Sequence, residues 1–188
     1  MAVPLISRAK ENQIIEAASA LIQHVILAIA PDPPDRGRDV EYHAGWAKRF
    51  TAISDLNVIT PTTEAEYLDS PLEQSDRWPY LGFVMQEKKR APAEYGEETF
   101  HAILGALIGT WGETFPISQK EMHEIHHDVQ TILYLDKSLG GITGKGGVID
   151  VLRFFSFSDP IYDSVFMARP WLVIQFNYEI FYREAVYR

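Results

Sequence analysis

The stretch TFHAILGALIGTW, Thr99 to Trp111, can be read either as a helix or as a strand, because its apolar residues fit both periodicities. The fold class depends on which of the two it forms. A helix would place six of them on one side: Phe100, Ile103, Leu104, Leu107, Ile108 and Trp111. A strand would place five on one face: Phe100, Ala102, Leu104, Ala106 and Ile108. Gly105 and Gly109 count against a helix by roughly 1 kcal/mol each relative to alanine. Periodicity alone leaves both structures open.

Clearer signals surround this stretch. Arg8 to Ala30 has apolar residues at the spacing of an amphipathic helix, and the PDPPD run that follows ends it. Ser118 to Leu135 has the same spacing, with Ser118 predicted as the N-cap and Glu121 as its capping-box partner. Three further segments are predicted strands: Tyr80 to Glu87, Val148 to Phe157 and Met167 to Glu184.

The segment from Asp32 to Arg77 is poorly patterned and rich in turn residues. It is predicted to be a long loop or insertion, with some local structure around Trp46 to Val58. A chain of 188 residues favours a single domain, and one domain over 1–188 is predicted.

The composition excludes several classes of function. A formal net charge of −9 argues against a general nucleic-acid binder, because neutralising phosphates requires clustered Lys and Arg. The chain has no cysteine, so it can form neither a disulfide framework nor a Cys-based metal site. The start does not resemble a secretory signal, and the most apolar stretch, Ala17 to Ala30, is too short to span a bilayer. A soluble cytoplasmic product without a membrane partner is expected.

The run HEIHH, His123 to His127, matches the H-E-x-x-H motif, in which two histidines hold zinc and the glutamate is the general base. A helical wheel places His123 and His127 beside the buried stripe, and Glu124 on the opposite, solvated side with Asp128. No later helix carries a glutamate that could be the third ligand. The interpretation favoured here is a partly exposed, histidine-rich helix face, with a zinc peptidase as the weaker alternative.

The remaining chemical motifs fail on their details. GITGKGG, Gly141 to Gly147, lacks the first glycine and the final Ser or Thr of a phosphate-binding loop, and a predicted strand follows it. There is no cysteine nucleophile and no G-x-S-x-G elbow. The sequence therefore predicts no catalytic residue, no cofactor and no metal, and the protein is predicted not to be an enzyme.

The aromatic ending FNYEIFYREAVYR has two explanations that can both hold. It can be a core strand, or it can form a subunit contact, because aromatic residues lie on both of its faces and such residues are enriched at interfaces. Five residues are the candidate interface: Tyr178, Phe181, Tyr182, Arg183 and Tyr187.

Three segments in order resemble the tail terminator proteins of long-tailed bacteriophages, the family of the lambda tail-capping protein. WPYLGFVMQEKK followed by TFHAILGALIGTW resembles the family's strand pair. MHEIHHDVQTILYLDKSLGG resembles its helix, and six residues carry that match: Asp128, Val129, Asp136, Leu139, Gly140 and Gly141. MARPWLVIQFNYEIFYRE resembles its closing strand, which ends in Tyr182-Arg183.

The resemblance implies that Thr99 to Trp111 is a strand. The predicted fold is then α+β, with an N-terminal helix and a second helix packed on a mostly antiparallel sheet of about four strands. The implied function is structural. A homo-hexameric ring would cap the tail tube, end tail growth and join the tail to the head neck. Its partners would be the tail tube protein and a connector or stopper protein.

The resemblance also implies where such a ring would work. DNA would pass through its acidic lumen without sequence-specific binding. The ring would belong to the tail end of the virion, after assembly in the host cytoplasm. A head–tail connector of similar fold, or a tail-tube-like subunit that polymerises further, is the non-enzymatic alternative.

Overall fold

The structure, a computed structural model, describes residues 10–30, 40–59, 78–90, 97–112, 114–140, 147–163 and 171–185. Within these ranges the chain forms three helices: α1 (Lys10–Ile29), α2 (Val40–Arg49) and α3 (Phe115–Leu135). It forms six strands: β1 (Asn57–Ile59), β2 (Tyr80–Arg90), β3 (Glu97–Trp111), β4 (Val151–Phe157), β5 (Ile161–Asp163) and β6 (Trp171–Ala185).

All six strands belong to one sheet with the order β1-β2-β3-β6-β4, and β5 pairs with β6 beyond the end of β4. The short pair β1–β2 is parallel, and the other pairs are antiparallel. The predicted α+β fold with a mostly antiparallel sheet is therefore confirmed. The strand count exceeds the predicted four because β1 and β5 have three residues each, too few to give a periodic signal.

The stretch that decides the fold is a strand, as predicted. β3 pairs with β6 over its whole length, from Glu97↔Ala185 to Trp111↔Trp171. Its glycines make room for neighbouring side chains, because a Cβ added at Gly109 would lie 2.8 Å from Trp78 Cζ3 and closer still to the ring of Tyr80. The two glycines that disfavour a helix are thus used for packing in the strand.

The helices cover one face of the sheet and enclose the core with it. β6 alternates strictly, with every second residue from Leu172 to Tyr182 buried. These side chains form one cluster with the buried stripes of α1 and α3. By length and composition α1 could cross a membrane, in contrast to the expectation for Ala17 to Ala30. In the fold, however, α1 buries an apolar stripe in the core: Ile14, Ala18, Leu21, Ile22 and Val25.

The predicted capping of α3 is wrong. The helix begins at Phe115, and Thr114 stands at the N-cap without a side-chain cap hydrogen bond. Ser118 is fully buried one turn into the helix. Its Oγ accepts the N–H of Gly112 at 2.8 Å, and its carbonyl accepts the Thr110 hydroxyl at 3.0 Å. A tertiary contact to the end of β3 therefore occupies the serine that was predicted to cap the helix.

Within the segment Asp32 to Arg77, which was predicted to be largely loop, residues 40–59 contain α2 and β1. The local structure expected around Trp46 to Val58 is therefore present, and it begins earlier, at Val40. Four apolar side chains from this part are buried: Trp46, Phe50, Ile53 and Leu56. They join the same core as α1 and the sheet, so this part belongs to the domain. Residues 32–39 and 60–77 lie outside the described ranges, as does most of the segment Gly141 to Gly147.

Candidate interaction surface

Two of the predicted interface residues are core residues. Tyr178 and Tyr182 are fully buried on the face of β6 that the helices cover. The Tyr178 hydroxyl lies 3.2 Å from Nε2 of His126 on α3, and the Tyr182 ring stacks on Phe100 of β3. Their assignment to a subunit contact is therefore wrong. β6 is an inner strand, so its large aromatic rings pack within the domain and their polar tips find partners there.

The other three predicted interface residues differ in position. Phe181 lies on the opposite face of the sheet, partly exposed, with its ring stacked on His101 at 4.8 Å between centroids. Arg183 is exposed and holds Asp150 through two hydrogen bonds of 3.0 Å each. Tyr187 lies outside the described residues. The assignment of these three residues to an interface stays a prediction.

The face of the sheet away from the helices carries a row of amides that bond to one another. Gln86 on β2 and Gln175 on β6 exchange two hydrogen bonds of 3.3 and 3.1 Å across β3. Gln175 can reach over β3 because Gly105 has no side chain: a Cβ there would lie 2.9 Å from the Gln175 amide. Asn177 continues the row to Ser156 on β4 at 3.2 Å. We call this surface the open face.

A charged group lies next to the amide row. Glu179 accepts from the Arg153 guanidinium, and its second oxygen lies 2.7 Å from Nε2 of His101. The Arg153 contact is the main reason that the pKa of Glu179 is lowered from its ordinary value. The Gln86, Gln175, Asn177 and Glu179 side chains of the open face thus have partners within one chain.

The HEIHH helix face has one feature that the sequence interpretation missed. His123, Glu124 and His127 are exposed, as expected for a solvated face. Asp128, predicted to share that solvated side, is instead buried, and its Oδ2 accepts the backbone N–H of Ala52 at 3.0 Å. Burial raises the pKa of this carboxyl above its ordinary value. The turn between α2 and β1 packs on this side of α3, which a wheel of α3 alone cannot show.

The arrangement gives no support for a zinc site in the part of the chain that the structure describes. There, no three His, Asp or Glu side chains are placed to hold one ion. The absence of a bound metal nevertheless stays a prediction.

His126, the middle histidine of the motif, is the one with an unusual environment. Its ring stacks on Phe176 with 3.6 Å between centroids and an interplanar angle of 10°. Burial lowers its pKa to about 4, and the nearby His123 and His127 add to this effect. The sequence held a signal for it, since Met122, His126 and Val129 follow the i, i+4, i+7 spacing of the buried stripe.

Exposed apolar side chains are concentrated at one edge of the sheet. The described residues include seven exposed large hydrophobic side chains, and five of them lie on β4 and the last turn of α3. We call these five the β4 edge patch: Tyr134, Leu135, Val151, Phe155 and Phe157. Phe155 and Phe157 are 65% and 62% exposed.

The local backbone explains why Phe155 is exposed. The pairing of β4 with β6 shifts between Phe154 and Ser156, which leaves Phe155 as the extra residue of a bulge. The N–H of Phe154 is donated to the Tyr134 hydroxyl at 2.8 Å, so α3 and β4 are joined at this point. The exposure of Phe155 could not be predicted from the sequence, because alternation predicts the faces of a strand but not the position of a bulge.

Comparison with known proteins does not assign the chain to a family. No family model matches the chain, and no curated protein matches it. The class that the fold itself defines is an α+β domain with helices on one face of a sheet and an apolar edge at β4.

Proposed function

We propose that the protein is a structural subunit of a long-tailed bacteriophage that forms a ring on the end of the tail tube. The ring ends tail growth and joins the tail to the head neck, between the tail tube protein and a connector or stopper protein. The observation that carries the proposal is the arrangement of the three segments that resemble tail terminators. They fold into one continuous unit of β2, β3, β6 and α3.

Direct neighbours in the fold make up that unit. β2 pairs with β3, β3 pairs with β6, and α3 contacts both β3 and β6. The segments are separated in the sequence, so a chance likeness in each would not require them to be adjacent. Their adjacency supports a common fold, and the function follows from the resemblance.

The residues at the end of α3 that carry the resemblance have structural roles. Asp136 is buried, and its Oδ1 accepts the Ser138 hydroxyl at 2.8 Å. Leu139 is also buried and has a φ of 58°, a left-handed conformation that is uncommon for leucine. These residues fix the exit from the helix, so this part of the resemblance rests on residues with a structural role.

The proposal includes that the protein is not an enzyme, and the zinc peptidase alternative can be tested directly. The exposed pair His123 and His127 has no third His, Asp or Glu side chain placed beside it to complete a metal site among the described residues. We expect elemental analysis of the purified protein to find no stoichiometric zinc. Zinc that is lost in the His123→Ala, His127→Ala variant would instead revive the peptidase alternative.

Electron microscopy of the purified protein, alone and with tail tubes of its phage, tests the proposal. We expect closed rings, and a single ring at one end of each tube. Long tubes formed by the protein alone would identify a tube-like subunit. Binding to the portal side of the neck would identify a connector. A protein that forms no ring and binds no tube end would refute the proposal.

A further inference from the structure

We propose that Lys88 is an electrostatic clamp that holds the first turn of α1 on the sheet, and that this turn opens and closes separately from the hydrophobic core. The clamp is a conformational device within one chain. It does not depend on whether the protein forms a ring, so either proposal can fail without the other.

The first turn of α1 has no apolar anchor among its own residues. The helix begins at Lys10, and its first four residues, KENQ, are all polar. Ile14 is the first buried residue, and buried side chains then follow on every turn as far as Ala28. Burial of apolar surface therefore fixes α1 from Ile14 onward, whereas the turn before it depends on polar contacts.

Lys88 of β2 makes such a contact. Its Nζ lies 2.6 Å from a carboxylate oxygen of Glu11 on α1 and 3.1 Å from a carboxylate oxygen of Glu184 on β6. The Tyr182 hydroxyl donates to the same Glu11 oxygen at 3.4 Å. Lys88 thus joins the first turn of α1 to two strands of the sheet: β2, which carries the lysine, and β6.

The ammonium group of Lys88 lies over two aromatic rings. Its Nζ is 4.1 Å from the centroid of the Phe100 ring and 5.9 Å from that of the Tyr182 ring, and these two rings stack on each other. The negative faces of aromatic rings attract a cation at such distances. The rings therefore help to keep the ammonium group at the position from which it reaches Glu11.

A bulge in β2 turns Lys88 toward α1. Regular alternation would place Lys88 on the open face, together with Gln86. The pairing with β3 instead shifts, because Gln86 pairs with Ile103 and Lys89 pairs with His101. One extra residue of β2 is thus inserted, and Lys88 faces the side of the sheet that the helices cover.

The bulge contains a residue with an unfavourable backbone conformation. Glu87, next to the clamp, has a φ of 51°, a left-handed conformation that is uncommon for residues other than glycine. Such conformations persist only where the surrounding structure holds them. The contacts of Lys88 with α1, β6 and the two rings supply that hold on the next residue.

Dissolved ions should weaken the clamp and leave the core unchanged. The side chains of Lys88, Glu11 and Glu184 are 37%, 27% and 36% exposed, so water and ions reach the contact. Attraction between partly exposed charges falls as salt shortens the Debye length, from about 10 Å at 0.1 M to about 3 Å at 1 M. The apolar side chains that anchor the rest of α1 carry no charge to be screened. Raised salt should therefore open the first turn selectively.

Amide hydrogen exchange followed by NMR tests the clamp. Each N–H of a helix donates to the carbonyl four residues earlier, so the amides of residues 14–17 report on the first turn and those of residues 21–25 on the anchored part. The measured quantity is the ratio of exchange rates between these two groups, corrected for their intrinsic rates. We expect Lys88→Met to raise this ratio about fivefold at low salt. Lys89→Met changes the formal charge equally but loses only an exposed ion pair, and it should change the ratio by less than about twofold.

Two further measurements test the electrostatic origin and the partner. In the wild type, raising NaCl from about 0.05 M to about 1 M should move the ratio toward that of Lys88→Met, and the ratio of the variant should stay constant. This salt series needs no variant, so it tests the clamp even if Lys88→Met fails to fold. In a Glu11→Gln background, Lys88→Met should raise the ratio by less than about twofold, because the charge on α1 is already gone.

Each outcome decides the proposal. A ratio that is unchanged in Lys88→Met, or independent of salt in the wild type, would overturn the clamp. Equal acceleration at residues 14–17 and 21–25 would show that Lys88 contributes only to global stability, and would overturn it too. A rise that Lys89→Met reproduces, or that persists in full in the Glu11→Gln background, would overturn the specific pairing of Lys88 with Glu11. A selective, salt-dependent rise that requires both residues would support the clamp.

Discussion

Protonation of His126 should destabilise the domain in mild acid. The ordinary pKa of histidine is 6.5, and burial against Phe176 lowers the pKa of His126 to about 4. The folded protein therefore binds fewer protons than the unfolded chain between these values. The stabilisation is fully present above pH 6.5 and is lost as the pH falls toward 4.

The magnitude follows from the two pKa values. Their difference corresponds to at most about 3.4 kcal/mol in the free energy of unfolding. His126 is only partly buried, so solvent screening should reduce the effect to about 2 kcal/mol. Burial also raises the pKa values of the Asp128 and Glu121 carboxyls, so these groups contribute to the dependence of stability on pH. The contribution of His126 must therefore be isolated by comparison with a variant.

His126→Gln is the suitable variant, because glutamine does not titrate and its side-chain amide can hydrogen-bond to the Tyr178 hydroxyl as donor or acceptor. Urea denaturation of both proteins at pH 7 and pH 4.5 gives the change in unfolding free energy for each. We expect the wild type to lose about 2 kcal/mol more than the variant over this interval. His123→Gln, which removes an exposed histidine from the same helix, is the control and should follow the wild type. Equal losses in wild type and His126→Gln would refute the reasoning.

Three further substitutions test the packing of the domain. Gly109→Ala should lower the unfolding free energy by about 1–3 kcal/mol through overpacking, as measured by calorimetry. Gly82→Ala is the control, because the added Cβ would have its nearest neighbour at 3.9 Å, and it should change the unfolding free energy little. Lys88→Met removes two ion pairs, of 2.6 and 3.1 Å, and should lower the unfolding free energy by about 1 kcal/mol at low salt. Lys89→Met removes only an exposed ion pair and should lower it less when both variants are measured over the same range of salt concentration. Asp128→Ala leaves the N–H that it bonds without an acceptor and should cost about 1–3 kcal/mol in urea denaturation, while a similar loss in Asp128→Asn would contradict this explanation.

The sequence was sufficient for the long elements of the fold. α1 and α3 have clear periodicity over five or more turns, and β6 alternates along its length. The periodicity of β3 could not show whether it is a strand, because a helix and a strand fit its apolar residues equally well. The strand was predicted only from the resemblance. The structure shows why: its buried residues satisfy a strand, while the apolar residues of the open face fill the positions that would complete a helical stripe.

The candidate surface was harder to predict, because position within the sheet decides it. Tyr178 and Tyr182 belong to a strand with neighbours on both sides, so their rings are buried within the chain. Phe155 and Phe157 belong to an edge strand with a bulge, so similar rings remain exposed. Aromatic content alone cannot separate these cases, since strand order depends on contacts between distant parts of the chain.

The open face and the β4 edge differ in how far their side chains are already satisfied or covered within the chain. On the open face, Gln86, Gln175 and Asn177 already bond to one another, so a partner would have to replace bonds that exist. Removing such paired amides from water brings little net gain. At the edge, Phe155 and Phe157 have no comparable cover, and burying them would release water from apolar surface. A new contact would therefore gain more free energy by covering these two rings than by covering the paired amides of the open face.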